Sequence, residues 1–388
     1  MDGRSAPDAR SSAGRSGTDG RSSGEGRSGT DGRSSGEGRS ETAGRSATGG
    51  RSTLGRRSLL ASGALAATGG LIAPPTPAHA ATGGLIAPSV LGPAHAASAP
   101  AAPALYLKKD GRDRLRLWTR RQGHRWIRYD LWRFTDQAIM LDAWRVQEVA
   151  VVELSADVPG PGVTETAVTR LTTPANYEYA IQLAGEAKHI GGMHGHELSQ
   201  GSLVVLDGRA VPVDDLPAYT TAAEFELAQE NDLLSRGQGD PVVGGLRVRH
   251  LVTAEGLRLR WSLTWRQARG VVSAYGAMLP AVKDAAITTR CRFMEEAREH
   301  DLTTPGRPHA DTYGIQLYNG TNGVALSVEL TPDFQAGYAN SGGFGIWVYT
   351  DKSYNKAYPA RVYPGRQEDV KEGMTWRLDA TYRFACPV

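Results

Sequence analysis

Apolar and polar residues alternate with a period of two over most of the chain beyond residue 100. The stretch Leu257 to Trp265, LRLRWSLTW, is the clearest case. Leu257, Leu259, Trp261, Leu263 and Trp265 share one face, and Arg258, Arg260, Ser262 and Thr264 share the other. That spacing marks a strand with one buried face. The run before it, Leu246 to Val252, carries the same pattern, and Glu255-Gly256 between the two predicts a hairpin. Arg114 to Trp118, Arg145 to Leu154, Gly323 to Leu330, Gly345 to Thr350 and Thr375 to Phe384 also read as strands. Thr221 to Leu234 suits either a helix or a strand. Many strands separated by Gly, Pro and Asp turns predict an all-β fold, a large antiparallel sandwich of the jelly-roll kind.

The first hundred residues have a different character. Residues 1–54 form a low-complexity region in which Gly17 to Ser28 recurs unchanged at Gly29 to Ser40. Such a composition buries too little apolar surface to offset the entropy of ordering, so it is expected to be disordered. Residues 55–96 begin with Arg56-Arg57, and no charged residue occurs from Ser58 to Ala96. A basic start, a modest apolar run and small residues at the end resemble a twin-arginine export signal. The apolar run is broken by Gly and Pro short of the roughly 20 residues a membrane span requires, so no stable membrane anchor is expected. Export leaves residues 97–388 as the working domain, in a secreted, extracellular setting.

Charge changes meaning once the halves are separated. Residues 1–57 hold 11 of the 44 basic residues and 7 of the 41 acidic ones, leaving 33 against 34 in the remainder. A chain so balanced lacks the basic excess that nucleic-acid binding demands. An exported protein also lies where disulfides persist. Cys291 and Cys386 are therefore expected to tie the closing strand to the strand around Cys291.

The most unusual chemistry lies in Lys188-His189-Ile190-Gly191-Gly192-Met193-His194-Gly195-His196-Glu197, which holds three of the nine histidines and three glycines. In an extended segment His194 and His196 point to the same side. Gly191-Gly192 permits a turn that returns His189 toward them. Imidazole suits proton transfer near neutral pH and also metal ligation. A plain β-turn, its histidines bonded to backbone, is the structural alternative. The HxH pair invites comparison with cupins, but Glu197 directly follows His196 where a cupin glutamate comes several residues later. No HExxH, GxSxG, P-loop or dinucleotide fingerprint occurs. Elsewhere, Gln316 and Tyr318 share one face of a short strand, and Tyr354, Tyr358 and Tyr363 alternate with Lys352, Lys356 and Arg361.

Clustered histidines on a secreted β-sandwich rich in Tyr and basic side chains resemble the polysaccharide lyases built on jelly-roll scaffolds. The resemblance implies β-elimination on a uronic-acid polysaccharide. His194 or His196, with His189 nearby, would be the base, and Tyr318 or Tyr275 the acid. Lys188 would pair with the carboxylate, and Arg260, Gln316, Tyr354, Lys356 and Arg361 would contact the polymer. Two other readings remain open. A metal-assisted glycan hydrolase would use His194, His196 and Glu197, with His189, as ligands to a divalent metal such as zinc or calcium. A lectin would bind sugar without turnover.

The sequence offers two cleavage positions, because Ala67 to Pro74 recurs at Ala81 to Pro88 and each copy is followed by Pro-Ala-His-Ala-Ala. N-terminal sequencing of the exported protein is expected to begin at Ala97, or at Ala81 if the first site is used. An unprocessed N-terminus would count against the export reading.

Overall fold

The computed structural model describes residues 105–122, 125–174, 177–237, 239–331, 334, 345–351 and 353–386. The low-complexity region, the twin-arginine segment, both cleavage positions and Lys352 lie outside these residues. The described chain is a β-sandwich of one large sheet of sixteen strands and a smaller one of seven. No helix among the described residues is long and apolar enough to cross a membrane.

The larger sheet runs from Glu299–Asp301 at one edge through Arg290–Phe293, Gly314–Tyr318, Ala325–Leu330, Thr375–Ala385, Gly256–Trp265 and Val242–Thr253. It continues through Phe225–Leu234, Glu197–Leu206, Leu141–Leu154, Arg125–Asp136, Arg114–Gln122 and Leu105–Lys109 to Tyr219–Ala222. The smaller sheet joins His309–Ala310, Ile346–Thr350, Tyr354–Val362, Arg269–Gly276 and Glu368–Val370 in that order, with Leu279–Val282 and Tyr179–Leu183 paired beside them. Pairing among the described strands is antiparallel apart from a short parallel contact between Leu141–Leu154 and Glu197–Leu206.

The alternation set the register as expected. The hairpin closes with Thr253 opposite Gly256. Leu257, Leu259, Trp261, Leu263 and Trp265 are each at most 4% exposed, so their face is the core face. The segment that suited helix or strand is a strand, Phe225–Leu234, with Phe225, Leu227 and Leu233 fully buried. Its alternation dominates because both neighbours offer a ladder that a helix would forfeit. One continuous apolar cluster fills the space between the sheets. It takes Leu117, Tyr129, Val149 and Trp261 from the larger sheet and Ile181, Val271, Val348 and Ala357 from the smaller. Each buried Leu, Ile or Val of this cluster contributes about 1.5–3 kcal/mol.

The expected disulfide is not formed. Cys291 lies opposite Leu317, Leu317 opposite Leu326, and Leu326 opposite Phe384, so three strand spacings separate Cys291 from the end of the strand before Cys386. At about 4.8 Å per spacing that is roughly 14 Å, twice what a bridge spans. Cys291 is buried among apolar side chains, and that burial pushes its thiol up to about 12.

A polar network is set into this core. Arg145, on Leu141–Leu154, is 1% exposed and ion-paired to the fully buried Glu197. Its Nη1 donates to Trp144 O at 2.8 Å and its Nη2 to Tyr179 Oη at 3.3 Å. Glu197 also accepts from Asn231 Nδ2, and its Oε2 accepts from the Gly192 amide at 3.2 Å. A second buried carboxylate, Glu178, accepts from the Val146 amide at 2.9 Å and lies 3.1 Å from His250 Nε2. Burial opposes the charge on Arg145, but Glu197, Tyr179 and Glu178 together outweigh it and hold the guanidinium above its ordinary value. Burial likewise opposes ionisation of Glu178, and His250 and Arg145 reverse it, leaving that carboxyl below its ordinary range.

Removing one partner of such a pair strands a buried charge. Arg145→Met is therefore expected to lower stability by about 3–5 kcal/mol at pH 7, measured by urea denaturation. A loss under about 1 kcal/mol would show that the network is dispensable.

Candidate functional site

The histidine segment is a tight loop whose backbone leaves little freedom. Ile190 bridges Ile181 through two backbone bonds of 3.0 and 2.7 Å. Gly191 then turns at φ 75°, where a Cβ would sit 2.5 Å from the Tyr179 ring. A single 3-10 turn, Gly192–His194, follows. Gly195 ends it at φ 78°, where a Cβ would meet Ile139 O at 2.1 Å. The Gly191 amide donates to Gly195 O at 2.8 Å and closes the loop. Only glycine fits at both ends.

Arg236 clamps this loop from the side. Its Nε donates to His189 O at 3.0 Å, and its Nη2 donates to His194 O. Glu186 receives the Arg236 amide at 2.9 Å and the Ser235 hydroxyl. From the core side, Glu197 holds the Gly192 amide. The loop is thus tied on two sides by charged groups that are themselves anchored.

These ties separate the histidines differently from the extended expectation. His194 lies in a 3-10 turn, Gly195 has φ 78° and His196 has φ 55°, so successive side chains do not alternate. His196 turns inward and is buried; its amide donates to Ile139 O at 2.7 Å and its Nδ1 lies 3.7 Å from Asp240. His189 takes its place beside His194, with ring centroids 5.2 Å apart and planes at 31°. His194 and His196 therefore do not form the expected pair. The metal set fails for the same reason: Glu197 spends its oxygens on Arg145, Asn231 and Gly192. No three His, Cys, Asp or Glu side chains among the described residues converge in a way that would hold a metal.

The two imidazoles lie against the outer face of the smaller sheet. Tyr275 stacks on His189 at 6.1 Å and meets Tyr358 at 5.3 Å and Trp347 at 6.0 Å. Trp347 and Tyr358 stack at 4.4 Å with planes 9° apart. Register explains the grouping: Trp347 lies opposite Tyr358, and Tyr349 opposite Lys356, while Val348 and Ala357 between them enter the core. Tyr354 and Tyr363 extend the platform through Tyr349 and Trp347. The exposed Arg307 guanidinium lies 5.5 Å from the Trp347 ring and 5.6 Å from Tyr349. Lys356 Nζ is 5.1 Å from the Tyr358 ring centroid. Tyr275 and Trp347 are buried, and His189, His194, Tyr349 and Tyr358 are half-buried around them.

The environment sets protonation. Burial lowers the His194 pKa to about 4, helped by His189, Lys356 and Arg236. Burial, then Arg236, also lowers His189, whose Nε2 lies 3.2 Å from Ser273 Oγ. Burial raises Tyr275 to about 12. Burial depresses Lys356 to about 8, against the opposing pull of the Glu178 carboxylate. At neutral pH the site therefore offers neutral imidazoles, a protonated phenol and cations.

The other sequence candidates scatter. Lys188 is exposed in the bend before His189. Tyr318, Gln316 and Arg260 stand on the larger sheet: Gln316 accepts from Arg292, and Arg260 pairs with Asp379. Tyr318 is raised to about 12 by burial and by Glu299, well away from the imidazoles in the strand order. Arg361 turns away from the platform at a bulge between Ala360 and Val362, grips Glu368 at 3.0 and 2.7 Å and stacks on Trp376. Sequence reasoning missed Arg307, Trp347, Ser273 and Arg236. The alternation Trp347-Val348-Tyr349 held a signal for the second of these; nothing local marks the other three.

No family model matches the chain, and no curated protein matches it. Solved structures with partial likeness include an α-galactosidase from Geobacillus stearothermophilus, at TM-score 0.38 and 10% identity, covering 69% of this chain. This chain spans only 40% of that enzyme. A galactose mutarotase-like protein from Clostridium acetobutylicum aligns at TM-score 0.36 and 8% identity over 74% of this chain and 99% of its own. A mutarotase-like protein from Salmonella typhimurium aligns at 0.32 and 13% over 74% and 95%. Likeness of this degree assigns neither a family nor an activity to this chain.

A histidine whose folded pKa is depressed binds its proton less readily than in the unfolded chain. The unfolded chain then holds more protons between the two values, so stability rises with pH there. For His194 the contribution is complete above about 6.5 and is lost as pH falls toward about 4. The urea midpoint is expected to fall between pH 7 and 4.5, and His194→Gln to reduce that fall. An equal fall in the variant would contradict the stated protonation.

Proposed function

We propose that the aromatic platform binds a sugar ring and that His194 takes a proton from it. The observation that supports this reading is the meeting, on one face, of neutral imidazoles, a protonated tyrosine and an exposed guanidinium over stacked aromatic rings. Aromatic faces suit the C–H faces of sugars, and Arg307 can pair with a carboxylate in a bidentate way.

The chemistry this arrangement supports best is β-elimination on a uronic-acid unit. Arg307, with Lys356 behind it, neutralises the carboxylate and makes the C5 proton removable. His194 accepts that proton; the C5 electron pair forms the C4–C5 double bond. The C4–O bond breaks, and the leaving oxygen takes the Tyr275 proton. His189, held by Ser273, fixes the geometry beside His194. A polysaccharide outside the cell is the matching substrate if residues 55–96 act as the expected export signal.

The His189–His194 pair also supports a second reading. A neutral imidazole accepts the anomeric hydroxyl proton while the Tyr275 hydroxyl donates one to the ring oxygen, which opens the ring of a free sugar, and the reverse transfers reclose it.

One experiment separates them. The purified protein is incubated with polygalacturonate and alginate while absorbance of the unsaturated product is followed, and polarimetry is run on a freshly dissolved aldose anomer. Unsaturated product is expected, with His194→Gln lowering kcat by about 10²–10⁴. Arg307→Ala is expected chiefly to raise KM. Because His194 stays unprotonated down to about pH 4, kcat/KM is expected to hold on acidification and fall only near that value. Polarimetric acceleration alone would favour the second reading. Binding without turnover in either assay would leave a lectin.

A further inference from the structure

On the opposite side of the sandwich, the outer face of the larger sheet carries a second charged surface. Arg247 lies opposite Ser262, and Ser262 opposite Arg377. In the next outward row Arg249 lies opposite Arg260, and Arg260 opposite Asp379. The residues between them along each strand, such as Val248, Leu259, Trp261 and Leu378, belong to the core, so these guanidiniums stand outward.

They line a groove of about 370 Å³ formed by Arg247, Arg249, Arg260, Ser262, Arg377 and Asp379. A neighbouring groove of about 450 Å³ shares Arg247 and Arg249 and continues over Gln200, Ser202, Glu226 and Glu230. Together they cross the strands from Glu197–Leu206 to Thr375–Ala385.

The charges do not cancel. Arg247 pairs with Glu230 at 3.1 Å, Arg249 with Glu226 at 3.6 Å, and Arg258 and Arg260 share Asp379 at 2.5 and 3.0 Å. Arg377 is exposed and makes no ion pair among the described residues. Along the two grooves four guanidiniums, Arg247, Arg249, Arg260 and Arg377, thus face three carboxylates, Glu226, Glu230 and Asp379. Arg249 directly opposite Arg260 is a like-charge pair, which weakens a sheet and is eased here on either side by Glu226 and Asp379.

We infer that this groove binds an acidic polysaccharide. Its carboxylates or sulfates meet Arg377 and the Arg249–Arg260 pair, and its hydroxyls meet Ser262, Ser202 and Gln200. The interspersed Glu226, Glu230 and Asp379 disfavour a nucleic acid, whose phosphates come one per residue and demand a continuous basic stripe. The surface holds polymer independently of the imidazole site, at a distance that keeps a long chain near the protein while another segment enters the platform.

The test uses the full chain carrying His194→Gln, so that turnover does not shorten the polymer. Native electrophoresis is run through gels containing polygalacturonate, dextran sulfate or uncharged dextran. Retardation is expected with both charged polymers and not with dextran, weakening as salt is added. Arg377→Glu, and separately Arg260→Gln, are expected to weaken retardation at least ten-fold with an unchanged thermal midpoint. Arg307→Ala is expected to leave it largely intact, which distinguishes this surface from the platform. Equal retardation of Arg377→Glu would overturn the inference, as would loss in Arg307→Ala alone. Stronger retention by single-stranded DNA than by polygalacturonate would also overturn it.

Discussion

The ion pair between Arg145 and Glu197 is the constraint on which the described architecture turns. Both groups are buried between the sheets, so each must be satisfied from within. Glu197 can meet Arg145 only if its strand enters the sheet at one position, beside Asn231 and opposite Leu141. That position fixes the Gly192 amide and hence the turn carrying His194. A requirement of the core thereby becomes the geometry of a surface loop. The Tyr179 ring, which packs against Arg145 and leaves no room for a side chain at Gly191, couples the two from the other direction.

The loop lies over a sheet whose outer face is unusually aromatic. In a sandwich an outer face normally meets water, and stacked Trp347, Tyr358 and Tyr275 would be poorly solvated there. They persist because the rings cover one another and because the histidine loop and Arg307 roof part of them. The same crowding desolvates the imidazoles and Lys356 and displaces their protonation toward the neutral forms. Packing and acid–base character are therefore one property of this face. The larger sheet shows the contrary arrangement, with guanidiniums and carboxylates set in rows on its outer side.

Much of the fold is written in local alternation. Alternation in LRLRWSLTW set which side chains face the core, because a slip of one residue would expose two tryptophans. The concentration of His189 and His194 among glycines was legible, and so was Tyr275 as a partner. The pairing of His194 with His196 was not, since it assumed an extended chain where Gly195 and His196 adopt positive φ. A metal role for Glu197 was undone by Arg145, fifty-two positions earlier in the chain. The expected disulfide was undone by strand order, which separates Cys291 from Cys386 by two intervening strands.

Which side chains share a surface follows from strand order across the two sheets. Arg307, Trp347, Tyr358 and Tyr275 come from separate strands and loops, and only antiparallel register aligns them over His189. Arg361 belongs to the same tyrosine-rich run, yet a bulge sends it to Glu368. Local periodicity fixes the face on which a residue stands, because it depends on neighbours two positions away. Proximity across a sandwich depends on ladder order and on buried charges finding partners, and these involve residues far apart in the chain.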